Sequence, residues 1–149
     1  MRNWAPSPAL VELVPHRGPM MLLDSVVAHG ERDITCEATI GSAHPFLEDG
    51  QVDVLVCVEL VAQAVAAYVG YRDRLAGLVP KIGFIVSCRE ASFAVPALAL
   101  GDTLTIFAHH VWGEKDVGSF KGTVRRGDLT VAAVELGVYR GSLDAVTAP

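Results

Sequence analysis

The chain has 149 residues, 51% hydrophobic but only 7% aromatic, with 12 basic and 17 acidic side chains and a net charge of −5. That length suits one domain, residues 1 to 149, with a core mostly of Val, Leu and Ala that buries roughly two-thirds of the unfolded surface. The acidic balance argues against nucleic acid, and the spacing of Cys36, Cys57 and Cys88 supports neither a disulfide framework nor a zinc knuckle.

No basic start leads into a continuous apolar run, so no secretory signal is expected and the chain is expected in the cytoplasm. The first informative stretch is Leu13-Val14-Pro15-His16-Arg17-Gly18-Pro19-Met20-Met21-Leu22-Leu23-Asp24. Pro15 fixes its own φ and Gly18-Pro19 punctuates the chain again, so His16 sits in a stiff turn. Such a turn holds an imidazole in one place; an ordinary surface histidine is the alternative. Residues 22 to 29 and 34 to 40 read as two strands around Gly30-Glu31, with His29 in the turn. Residues 41 to 52 read as a loop.

Residues 53 to 74 read DVLVCVELVAQAVAAYVGYRDR. The Val-rich start favours strand locally, but the Ala-rich continuation and the length decide for a helix. From Val54 to Tyr71 the segment is apolar or small on every side except at Glu59 and Gln63, which lie four apart on one helical face. A helix that is hydrophobic all round is buried, and an unpaired carboxylate there is costly. Glu59 therefore marks a candidate active-site element, unless it points through a gap to water. A membrane span is not expected, because the apolar run is interrupted twice and carries a carboxylate. A single sheet covers only one side of such a helix, so a second subunit is expected on the other.

Downstream, residues 82 to 88, 91 to 95, 103 to 112, 119 to 126 and 129 to 139 read as strands, with a hairpin turn at Gly127-Asp128. Thr103, Thr105 and Phe107 alternate with Leu104, Ile106 and Ala108, as in a half-buried strand. Helix and strands are segregated, which predicts an α+β fold with an antiparallel sheet. His109 and His110 are adjacent in a strand and point to opposite faces, so no metal site is read. Arg72, Arg74, Lys81 and Arg89 gather near the helix exit as either a solvated face or a dock for an acidic carrier protein. The tail after Gly141 is expected to fray.

Two segments together have a family likeness. Pro15-His16-Arg17 before a run ending in Leu22-Leu23-Asp24, then an apolar helix with Glu59, Ala62 and Gln63, resembles the hot-dog-fold 3-hydroxyacyl-acyl carrier protein dehydratases. Gly83-Phe84-Ile85-Val86, Ala91-Ser92-Phe93, Pro96 and Gly101-Asp102-Thr103-Leu104 follow in that family's order, so the likeness spans roughly residues 10 to 140. His44-Pro45-Phe46-Leu47 looks more like the specialised branch of aryl-polyene-type pathways, so the resemblance implies a fatty-acid-like or aryl polyene pathway. Common members open the helix with Met-Pro-Gly, where this chain has Val52-Asp53-Val54.

The resemblance implies a hot-dog fold, with a long central helix wrapped by an antiparallel sheet. It implies an acyl carrier protein as partner, a homodimer or a heteromer with a second hot-dog subunit, and no cofactor. It also implies that His16 of one subunit faces Glu59 of the other. Dehydrating a 3-hydroxyacyl thioester needs a base for the proton beside the carbonyl and an acid for the departing hydroxyl. His16 suits the base, and Glu59, in apolar surroundings, would hold the proton to donate. Amides near the helix start, at Val54, Leu55 and Val56, are expected to bind the enolate oxygen. Gln63 would orient the carboxyl. Phe84, Met20 and Met21 would line the acyl site, with core filling as the alternative for the methionines. Two rivals stand: a hot-dog thioesterase in which Glu59 activates water, and a catalytically weak partner that completes a heteromeric dehydratase. The missing Met-Pro-Gly turn favours the latter.

Overall fold

A computed structural model describes residues 10–78, 82–114 and 116–141. The chain runs through a one-turn helix α1 (Leu10–Leu13), a 3₁₀ turn (Gly18–Met20), strands β1 (Ser25–His29), β2 (Asp33–Thr39) and β3 (Gln51–Asp53), and the long helix α2 (Val56–Leu75). Then follow β4 (Ile82–Phe93), β5 (Ala97–Ala99), β6 (Thr103–Glu114), β7 (Val117–Arg126) and β8 (Leu129–Gly141). Six strands form an antiparallel sheet in the order β1-β2-β6-β7-β8-β4, and β3 pairs separately with β5.

The period-two pattern of β6 decides which sheet face turns to the helix. Leu104, Ile106 and Ala108 are buried while Thr105 and Phe107 are exposed. Cys36 in β2, Phe120 and Val124 in β7, and Val134 and Leu136 in β8 extend the same apolar face. Helix α2 lays Cys57, Leu60, Val61, Ala64 and Val65 on it. Burying each large aliphatic side chain contributes about 1.5–3 kcal/mol. Gly122 of β7 sets how closely the helix approaches, since a Cβ there would collide with the Val61 side chain.

Several boundaries depart from the sequence reading. β1 starts at Ser25 rather than at residue 22, because the Leu22 amide is taken by the Gln63 side chain instead of a strand partner. The helix begins at Val56. Gln51–Asp53, read as loop and helix start, forms a strand against Ala97–Ala99, which matches the local preference of Val52. The strands expected at 82 to 88 and 91 to 95 are one, β4, with irregularities between Ile85 and Ser87 and between Cys88 and Glu90. The 127–128 hairpin forms as expected, with Arg126 opposite Leu129 and Gly127 at φ +60°. α2 is not buried all round: Ala62, Ala66 and Val69 are half-buried and line a groove. His29 ends β1 rather than standing in the turn, and it packs edge-on against Tyr71 at 4.3 Å. The expected frayed tail lies outside the described residues, and among those described no helix is long and apolar enough to cross a membrane.

Candidate active site

The stiff turn predicted around His16 is fastened from several sides. Leu13 and Val14 are buried, and the Leu13 backbone lies against α2 at Gly70, where a Cβ would run into the Leu13 carbonyl oxygen. Arg17 donates through Nη1 to the carbonyls of Val14 (2.6 Å) and His16 (2.8 Å). Gly18 adopts φ +60°, a region that favours glycine, and the Met21 amide closes the 3₁₀ turn on the Gly18 carbonyl at 3.1 Å.

Gln63 fixes that turn to the helix. Its fully buried amide accepts the Leu22 N–H at 3.0 Å and donates to the Met20 carbonyl at 2.7 Å and to Glu59 Oε1 at 2.9 Å. The same Glu59 oxygen lies 3.0 Å from His16 Nε2. The expected pairing across subunits is thereby corrected, because His16 and Glu59 meet within one chain. The Leu13–Gly70 contact and the Gln63 clamp carry the N-terminal turn over the middle of α2. The expectation of a carboxyl sealed in apolar surroundings is also corrected. The His16 and Glu59 side chains are 28% and 31% exposed. His16 Nδ1 is buried without a hydrogen-bond partner among the described residues.

Two cavities meet at Glu59. The first, about 280 Å³, runs from His16 and Glu59 along α2 past Ala62, Ala66 and Val69, with Phe84 and Val138 opposite, to Gly70 and Arg140. The second, about 650 Å³, opens at the start of α2 between Met20, Phe46, Asp53, Leu55 and Val56. Of the three amides expected to bind an oxyanion, two are engaged. Val54 donates to the Pro96 carbonyl at 3.2 Å and Leu55 to Asp53 Oδ1 at 2.9 Å. Val56 has no hydrogen-bonding partner for its amide among the described residues, and it lines the second cavity.

The other candidates separate. Phe84 lines the groove and Met20 the wider cavity, whereas Met21 packs against the core. Among the described basic residues, Arg89 lies apart from Arg72 and Arg74. Arg72 and Arg74 are exposed in the last turn of α2, Arg74 is paired with Glu12 at 2.8 Å, and Arg89 borders a different cavity beside Lys121 and His109. Lys81 lies outside the described residues. His109 and His110 take opposite sides of β6: His109 borders that cavity, and His110 lies 5.0 Å from the inward Phe120. Burial raises the thiols of Cys36 and Cys57 to about 12. Desolvation holds His44 below its ordinary range, and its Nδ1 accepts the Phe46 amide at 3.1 Å, shaping the rim of the wider cavity. Sequence reasoning gives no role of their own to Arg17, to Asp53 or to the ion pair of Asp73 with Arg140 (2.8 Å). For Asp53 the signal was present, as a short acceptor just before a helix. For Arg140 there was none, since its partner lies 67 positions away.

A family model for ApeP-like proteins, described as ApeP dehydratase, matches residues 8–148. The dehydratase heterocomplex ApeI:P from Xenorhabdus doucetiae superposes with a TM-score of 0.87 at 23% identity, covering 92% of this chain and 93% of that one. The conserved protein PA5202 from Pseudomonas aeruginosa gives 0.68 at 15% identity, over 90% and 100%. The E. coli PaaI protein from the phenylacetic acid degradation operon gives 0.61 at 19% identity, over 78% and 82%. These likenesses share the hot-dog fold, a long helix against an antiparallel sheet. No curated protein matches the chain.

Proposed function

The chain belongs to the ApeP-like dehydratase family, and from that premise we propose that it converts 3-hydroxyacyl thioesters, carried on an acyl carrier protein, to trans-2-enoyl thioesters in an aryl-polyene-type pathway. The observation that carries the reading is the 3.0 Å contact of His16 Nε2 with Glu59 Oε1 where the two cavities join. The thioester enters through the wider cavity and its acyl tail lies in the apolar groove. His16 takes the proton from C2 and passes it across the short contact to Glu59, which gives it to the hydroxyl at C3, and that leaves as water. Gln63 holds the carboxyl during this exchange. The Val56 amide, at the positive end of α2 and without a partner among the described residues, is the donor available to the developing enolate oxygen. The test is turnover of a carrier-bound 3-hydroxyacyl thioester by the purified protein, followed by ultraviolet absorbance of the enoyl product. Hydrolysis of the thioester without enoyl formation would replace this reading with a thioesterase.

One observation favours the rival of a weak partner subunit. Asp53 places a carboxylate at the start of α2 and spends the Leu55 amide, which opposes negative charge developing there. Under that reading turnover appears only when a second hot-dog subunit is co-expressed. Asp53→Asn, which keeps an acceptor for Leu55 but removes the charge, then raises the activity of the chain alone.

A further inference from the structure

The groove beside Glu59 does not end in an apolar wall. Along α2 it spans Glu59 to Gly70, roughly 16 Å at the rise of an α-helix, and its sides are Ala62, Ala66, Val69, Phe84 and Val138. At the far end stands Arg140. Its β4 neighbour in the ladder is Gly83, which has no side chain to crowd the guanidinium. Arg140 donates through Nη1 to Asp73 Oδ1 at 2.8 Å, and Asp73 is 4% exposed. The other guanidinium donors have no partner among the described residues, and Nε is buried without one. The Arg140 side chain is 25% exposed, so solvent reaches its outer nitrogens, but the buried Nε is left unmet, and a buried donor without a partner is costly unless a ligand satisfies it.

Resting on the dehydratase reading above, we infer that Arg140 is a specificity-determining residue that reads the distal end of the acyl chain and selects a tail ending in a neutral oxygen acceptor, such as a hydroxyl. Asp73 is the positioning residue. Its charge cancels that of Arg140, so the tip offers donors without net positive charge. A tail carboxylate would bring a second negative charge toward Asp73, whereas a hydroxyl would not. A plain alkyl tail fills the apolar part of the groove but leaves the donors unmet.

The test measures Kd by calorimetry on the purified protein with saturated, non-reactive acyl thioesters of increasing length, each with a methyl, a hydroxyl or a carboxylate at the tail. At the length that spans the groove, the hydroxyl tail binds about tenfold or more tighter than the methyl tail, the scale of one charge-assisted hydrogen bond. At shorter lengths the preference vanishes. Because Arg140→Met alone strands a buried Asp73, the preference is also measured in Asp73→Leu/Arg140→Met, which replaces the ion pair by apolar groups and is expected to fold. There the hydroxyl-to-methyl ratio falls close to one. Equal Kd values through the whole length series, a preference that survives in the double variant, or tightest binding of the carboxylate tail would each overturn the inference. Turnover of the matching 3-hydroxyacyl thioesters separates the two claims. A hydroxyl preference without dehydration overturns the reaction and keeps Arg140 as selector, while dehydration without the preference does the reverse.

Discussion

At the scale of single residues, Glu59 Oε1 is the point where the site converges, since it is shared by the His16 imidazole and the Gln63 amide. His16→Ala is expected to lower kcat by roughly 10²–10⁴, the usual scale for loss of a general acid–base group. Unchanged turnover would remove His16 from the mechanism. Gln63→Leu acts differently, because it strips Glu59 of its tether and leaves the Leu22 amide and the Met20 carbonyl unpaired. Each stranded buried group costs about 1–3 kcal/mol, so both Tm and kcat should fall. A variant that melts at the wild-type temperature would show that the clamp is dispensable. The buried thiols give a simpler readout. With Cys36 and Cys57 raised to about 12 by burial, both stay protonated near neutrality, and neither should react with iodoacetamide at about pH 8 until the protein unfolds.

At the scale of elements, the decisive contact joins α2 to the segment that ends α1. Gly70 lets the Leu13 backbone touch the helix, and three residues later the chain presents His16. In Gly70→Ala the new methyl meets backbone rather than a flexible side chain, so the segment must shift. Such overpacking costs about 1–3 kcal/mol, and the moved turn should carry His16 away from Glu59. Thermal melting and kcat are expected to drop together. Loss of stability with full kcat would mean that the turn is held by Arg17 and Gln63 alone.

At the scale of the whole molecule, the His16–Glu59 contact within one chain makes a sharp prediction. A mixed dimer of His16→Ala and Glu59→Gln chains has one of the two groups missing from each site, so confirmed exchange of chains should restore no activity. Recovery would return the pair to opposite subunits. Assembly itself is expected from β4, an edge strand of 12 residues whose Ile85 and Val86 are 47% and 62% exposed. A long apolar edge recruits another strand. Light scattering should report at least a dimer, and Val86→Lys should shift it toward monomer. A monomeric wild type would mean that the edge is left open.

Local chemistry carried much of this protein into its sequence. The alternation in β6, the Gly127-Asp128 hairpin, the stiffness around His16 and the pairing of Glu59 with Gln63 four residues on all follow from neighbours within a few positions, and the ordered motifs pointed to the hot-dog dehydratases. What separated from the reading depends on contacts distant in sequence. The union of two expected strands into β4 depends on the ladder with β8, and the short β3 on β5 far downstream. The meeting of His16 with Glu59 in one chain depends on a helix able to touch backbone at Gly70. The loss of the Val54 amide depends on Pro96, 42 positions downstream. Periodicity records which face of an element is apolar, but not which distant atom will take a given hydrogen bond. That choice belongs to the tertiary structure, because only the folded chain brings those atoms within bonding distance.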